Sequence, residues 1–139
     1  ISVGSRFGAA CGLDPAHVDE VIRFVDLEKE RTQNTGLLNL LGKKKLMIGA
    51  ALATKPKILM LDEPMAGMGQ EESQRMVRIL SGLRGDKTIL LIEHDMDAVF
   101  TLADRLSVLV NGHIIATDTV DNIRANLEVQ RAYLGEEHA

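Results

Sequence analysis

Four apolar residues, Ile58-Leu59-Met60-Leu61, run directly into two adjacent carboxylates and a proline, Asp62-Glu63-Pro64. No other feature constrains the fold as much. The run is short, continuous and bracketed by Pro56 and Pro64, which reads as a strand buried on both faces. Ionised carboxylates at the end of such a strand need a metal, a proton or a donor to offset their desolvation. In open parallel sheets ligands bind outside the carboxyl ends of the strands. The pattern therefore points to a metal-phosphate site.

Further strands and helices can be placed around it. Asp14-Pro15 starts a helix over 15 to 26, with Val18, Val21, Ile22 and Val25 on its apolar face. Residues 28 to 36 read as a polar loop. A second helix runs from Asn39 or Leu40 to Ala53, and Pro56 fixes its stop. A third spans 71 to 83. Thr88 to Ile92 forms a second buried strand, which ends in Glu93-His94-Asp95. A short helix over 96 to 103 leads to a strand at 105 to 110. Asn111-Gly112 then predicts a type I′ hairpin with 113 to 117 returning antiparallel. The tail, 119 to 134, reads as a polar helix docked by Tyr133 and Leu134, and residues 1 to 12 read as irregular. Strand–helix–strand order over 58 to 110 predicts parallel pairing, with both polar strand ends on one sheet edge.

Composition excludes some functions. The 139 residues suit one domain or a large part of one. Sixteen basic against twenty acidic residues give a net charge of −4, which argues against a sequence-independent nucleic-acid binder. No apolar run approaches the ~18 residues of a membrane span. Cys11 is the only cysteine, so an internal disulfide is excluded and a reducing compartment fits. There is no signal-peptide pattern at the start. Ile1 stands where a methionine would begin a chain, which reads as processing or as a missing upstream portion.

Asp62-Glu63 after one strand and Glu93-His94-Asp95 after the next resemble an ATP-binding cassette ATPase. The resemblance implies an α/β, partial P-loop NTPase fold: a mainly parallel sheet with flanking helices and a C-terminal β-hairpin. It implies Asp62 as the Mg²⁺ acid, Glu63 as the catalytic base and His94 as the switch histidine at the γ-phosphate of ATP. Phosphoryl transfer is mostly positioning plus charge stabilisation, which these groups can supply. Ala50 to Ala53 with Lys55-Pro56 looks like the end of the family's signature helix. Ala66-Gly67-Met68 resembles the D-loop of branched-chain amino acid importer cassettes. Ala103-Asp104-Arg105, the Asn111-Gly112 hairpin and the tail through Gly135 resemble the C-terminus of that subgroup; lipopolysaccharide-exporter cassettes are similar too.

This sequence departs from the family pattern in three ways. It has no Gly-x-x-x-x-Gly-Lys-Ser/Thr phosphate loop, and no visible glutamine loop. Lys43, Lys44 and Lys45 do not replace that loop and read as a solvated helix face. The signature is degenerate: either Leu38-Asn39-Leu40-Leu41-Gly42 stands in its place, or Gly42 is its second glycine and one residue is deleted; Asn39, Gly42 and Gly67 are the expected nucleotide contacts. Gly69-Gln70 stands where an Asn-Pro or Asp-Pro pair is usual.

The resemblance thus covers the C-terminal half of a cassette. It divides the chain into part of a helical subdomain (1–54), a Walker B and switch-histidine half with the hairpin (55–118) and a helical tail (119–139). The expected partners are a second ATP-binding subunit and transmembrane permease subunits, on the cytoplasmic inner face of a membrane. The family's phosphate-loop strand would separate strands 88–92 and 105–110. Without it, the two strands should pair directly or be repaired by homodimerisation or strand swapping. The isolated chain is expected to bind MgATP weakly without turning it over. The rival readings are a non-catalytic interaction module and a response-regulator-like acidic pocket. The latter fits poorly, because it gives His94 no role.

Overall fold

A computed structural model describes residues 14–134. The chain divides into two compact units, 1–98 and 99–139.

In the first unit α1 (Pro15–Phe24) opens as the Asp14-Pro15 pair predicts, with Asp14 Oδ1 accepting from the Ala16 N–H at 3.1 Å. The helix stops two residues before the expected 26. Asp26 takes a left-handed φ of 54°, which ends the turn while Val25 and Leu27 remain buried. The loop that follows contains a short 3₁₀ turn, Thr35–Leu37. Next comes α2 (Leu40–Ala53), which Asn39 caps by accepting from the Gly42 N–H at 2.8 Å. Strand β1 (Ile58–Asp62) leads to α3 (Gln70–Ser81), and β2 (Thr88–Ile92) follows. The two strands pair in parallel, Ile58 opposite Thr88 through Asp62 opposite Ile92. Val18, Ile22, Leu46, Met76 and Leu80 are among the buried side chains of the unit.

The reading of β1 and β2 as strands buried on both faces is corrected. Leu59 is 4 % exposed, but Ile58 is 60 %, Met60 71 %, Leu90 50 % and Ile92 56 % exposed. Side chains alternate along a strand, so these four share one face of the β1–β2 pair, which is exposed among the described residues. The apolar run recorded what such a strand can bury, and this chain supplies a cover for one face.

The unit boundary falls within α4 (Met96–Leu102). In the second unit β3 (Leu106–Val110) and β4 (His113–Asp118) form the expected hairpin, with a register shift between Val108 and Leu109. Asn111 (φ 48°) and Gly112 (φ 78°) both lie in the left-handed region that a type I′ turn requires. Val108, Ile123 and Val129 form a small core, supported by Leu106, Val110, Ile115 and Ala116. The helical tail consists of two helices, α5 (Val120–Ala125) and α6 (Leu127–Leu134). Asn126 breaks it by capping α6, its Oδ1 accepting from the Glu128 N–H at 2.9 Å. The docking expected of Tyr133 and Leu134, and everything expected of residues 1 to 12, lie outside the described residues and side chains.

Both ladders are two-stranded: β1 with β2, and β3 with β4.

Candidate functional site

Parallel pairing in register carries the ends of β1 and β2 to one edge, with Asp62 opposite Ile92. The Glu63 N–H continues the ladder by donating to the Ile92 carbonyl at 2.8 Å. Glu63 and His94 therefore meet just beyond the sheet, with His94 Nδ1 3.5 Å from Glu63 Oε1. Both side chains are open to solvent, 74 % for His94 and 53 % for Glu63.

Glu63 holds a left-handed backbone with φ 44°. A non-glycine residue there carries strain of about 1–2 kcal/mol, and such strain gathers at functional sites. The conformation has local support. The Ala66 N–H donates to the Glu63 carbonyl at 3.1 Å, and the Lys44 ammonium, from α2, donates to the same oxygen at 2.9 Å. Asp62 is exposed on the outer face of β1, and its carboxylate has no partner among the described residues. Among the described residues no group of three or more His, Cys, Asp or Glu is arranged to hold a metal ion.

The other predicted contacts lie at the start of α2 and in the turn after β1. Asn39 spends its side-chain oxygen on the Gly42 N–H. Gly42 is buried, and an added Cβ would lie 3.3 Å from Leu38. Gly67 has φ 76°, and a Cβ there would meet Leu40 Cδ2 at 3.2 Å. The Leu40 side chain thus packs beside the Gly67 turn, in the stretch where the family signature carries glycine. Two cavities of this unit are lined by residues other than the strand-end acids. One, of 330 Å³, is lined by Phe24, Asp26, Lys45, Arg75, Arg78 and Ile79.

Sequence reasoning missed three groups. Lys44 and Lys45 are not a plain solvated face. Lys44 holds the Glu63 turn, while Lys45 is buried and pairs with Asp26 Oδ2 at 2.7 Å and with the Asp26 carbonyl at 3.2 Å. Three successive lysines rotate through about 200° of helix, so they do not share one face. Glu93 had no assigned role, yet its side chain is 1 % exposed and accepts three backbone N–H groups. Its signal was its place between a buried strand and His94.

Known proteins share these features. Residues 113–139 match the family model described as branched-chain amino acid ATP-binding cassette transporter. The high-affinity branched-chain amino acid transport ATP-binding protein LivG of Escherichia coli K12 is 44% identical over 96 residues, covering 68% of this chain and 38% of LivG. BraF of Pseudomonas aeruginosa, a protein of the same description, is 38% identical over 114 residues, covering 81% of this chain and 45% of BraF. The chain thus spans less than half the length of these two relatives. Among solved structures, cbiO1 from Clostridium perfringens, part of the ABC transporter complex cbiONQ, superposes with a TM-score of 0.80 at 26% identity. The match covers 97% of this chain and 59% of cbiO1. With Asp62, Glu63 and His94 at the ends of paired parallel strands, the chain belongs to the ATP-binding cassette family, as a C-terminal portion of a cassette of the branched-chain amino acid transporter type.

Proposed function

We propose that this chain is the acid-and-histidine side of an ATP-hydrolysing site that drives import of branched-chain amino acids. The observation that carries the proposal is the 3.5 Å approach of His94 to Glu63 at the ends of two parallel strands. Asp62 would hold a Mg²⁺ ion, which when bound would supply charge neutralisation to the phosphates. Glu63 accepts a hydrogen bond from the attacking water and aims it at the γ-phosphate. His94 donates to a γ-phosphate oxygen as charge develops there. Asn39, Gly42 and Gly67 serve the nucleotide of a partner subunit across the dimer. The permease subunits and a second cassette are the partners, and the inner membrane face is the place of work. Among the described residues no helix is long and apolar enough to cross a membrane.

The residues of this chain include no glycine-rich phosphate loop. Alone, it therefore binds MgATP weakly and does not turn it over. Calorimetric titration with MgATP and a phosphate-release assay test this. Micromolar binding, or turnover that disappears in Glu63→Gln, would overturn the inactivity.

A second reading, a non-catalytic module docking on partner subunits, draws support from Leu40 beside Gly67 and from the uncovered apolar face of β1 and β2. On this reading a second chain covers that face, through homodimerisation or strand exchange. Sedimentation at rising concentration tests the self-association: a monomer throughout speaks against homodimerisation and strand exchange.

A further inference from the structure

Glu93 belongs to neither role assigned above. It follows β2 directly, and its carboxylate is turned inward, with 1 % of the side chain exposed. Oε1 accepts from the Met65 N–H at 2.9 Å. Oε2 accepts from the His94 N–H at 3.0 Å and from the Asp95 N–H at 3.3 Å. Met65 lies two residues beyond Glu63, and His94 is the residue whose ring faces Glu63. One carboxylate thus ties the turn after β1 to the segment after β2. Its oxygens are filled by backbone donors, which leaves it unsuited to a metal or to activating water. Charge-assisted bonds of this kind are stronger than neutral ones, and a buried carboxylate is tolerated because they satisfy it.

We propose that Glu93 is a positioning residue. It clamps the two strand-end segments so that Glu63 and His94 face one another, and it transmits any shift of the turn at 64–68 to His94. Its catalytic consequence rests on the proposed function, whereas the clamp itself does not.

The test uses the whole 139-residue chain and nuclear magnetic resonance without nucleotide. In Glu93→Ala, exchange of the Met65, His94 and Asp95 amides should quicken by about tenfold or more, while Leu59 and Ile89 in the ladder keep their rates. The second readout is the response of the His94 ring signals to Glu63→Gln. That response should be present with Glu93 in place, lost in Glu93→Ala and partly restored in Glu93→Gln, which keeps the shape and one acceptor oxygen. If Glu93→Ala does not fold, Glu93→Gln alone gives both readouts, each reduced rather than lost. Uniform loosening that includes Leu59 and Ile89 would overturn the clamp. So would a His94 response to Glu63→Gln that persists in every variant. A failed ATPase reading would change neither readout, and a failed clamp would leave the ATPase reading standing.

Discussion

The Lys44 ammonium donates to the main-chain carbonyl of Glu63 at 2.9 Å, joining the second turn of α2 to the strained residue at the end of β1. α2 is therefore fastened to the turn after β1 by a side-chain hydrogen bond. Lys44→Met keeps the stem and removes the donor. It should cost about 1 kcal/mol in urea unfolding, because the bond is exposed and replaces a bond to water. An unchanged midpoint would mean that the turn is held without Lys44.

Glu63 carries a left-handed backbone that an L side chain rarely adopts. Glycine pays no Cβ penalty at φ 44°. Glu63→Gly should therefore stabilise the chain by up to about 1 kcal/mol while removing the carboxylate that the proposed chemistry requires. Thermal unfolding measures the gain. A destabilised variant would show that the Glu63 side chain contributes more than its backbone strain costs.

The Lys45–Asp26 pair joins unequal partners, with side-chain exposures of 7 % and 83 %. Asp26→Asn keeps a residue tolerant of the left-handed backbone but leaves a buried ammonium without its counter-charge. It should cost about 2 kcal/mol, below the full cost of breaking a buried pair because Asp26 is solvated. Lys45→Met, which removes the buried charge itself, should cost less than about 1 kcal/mol. Denaturant titrations of the two variants should differ in that order.

In the second unit, the Asn122 side chain and then the Thr119 N–H, at 2.7 Å, hold the Asp118 carboxyl below its usual range; Arg105 adds to the effect and burial opposes it. The folded pKa is depressed, so the stabilisation is fully present above the unfolded value, near 3.8, and is lost as pH falls through the folded pKa. Asn122→Ala should raise the Asp118 pKa toward the ordinary value, read from its carboxyl signal in a pH titration. An unmoved titration would assign the shift to the Thr119 contact.

The elements legible in the sequence were those set by local chemistry. Asp14-Pro15 started a helix, Asn111-Gly112 made its turn, and the apolar runs at 58 and 88 became paired strands, because caps, left-handed turns and strand runs are decided by near neighbours. The approach of Glu63 to His94 followed from parallel order alone. Elsewhere the outcome depended on distant partners. Whether Ile58 and Met60 are covered depends on what lies over the sheet. Lys45 is buried because Asp26, nineteen positions earlier, waits for it. The split of the tail at Asn126 was local chemistry too, but a side-chain cap competes with a continuing helix and a polar pattern does not reveal which prevails.

The uncovered face of Ile58, Met60, Leu90 and Ile92 bears on how this chain should be measured. A partner that coats that face only when Ile58, Met60, Leu90 and Ile92 are aligned in the ladder binds the folded sheet in preference to the unfolded strands. The free energy of that coating adds to the stability of the sheet. A melting temperature for this chain is then a property of the sample as well as of the sequence, and it has to be quoted together with the concentration of whatever shares the tube.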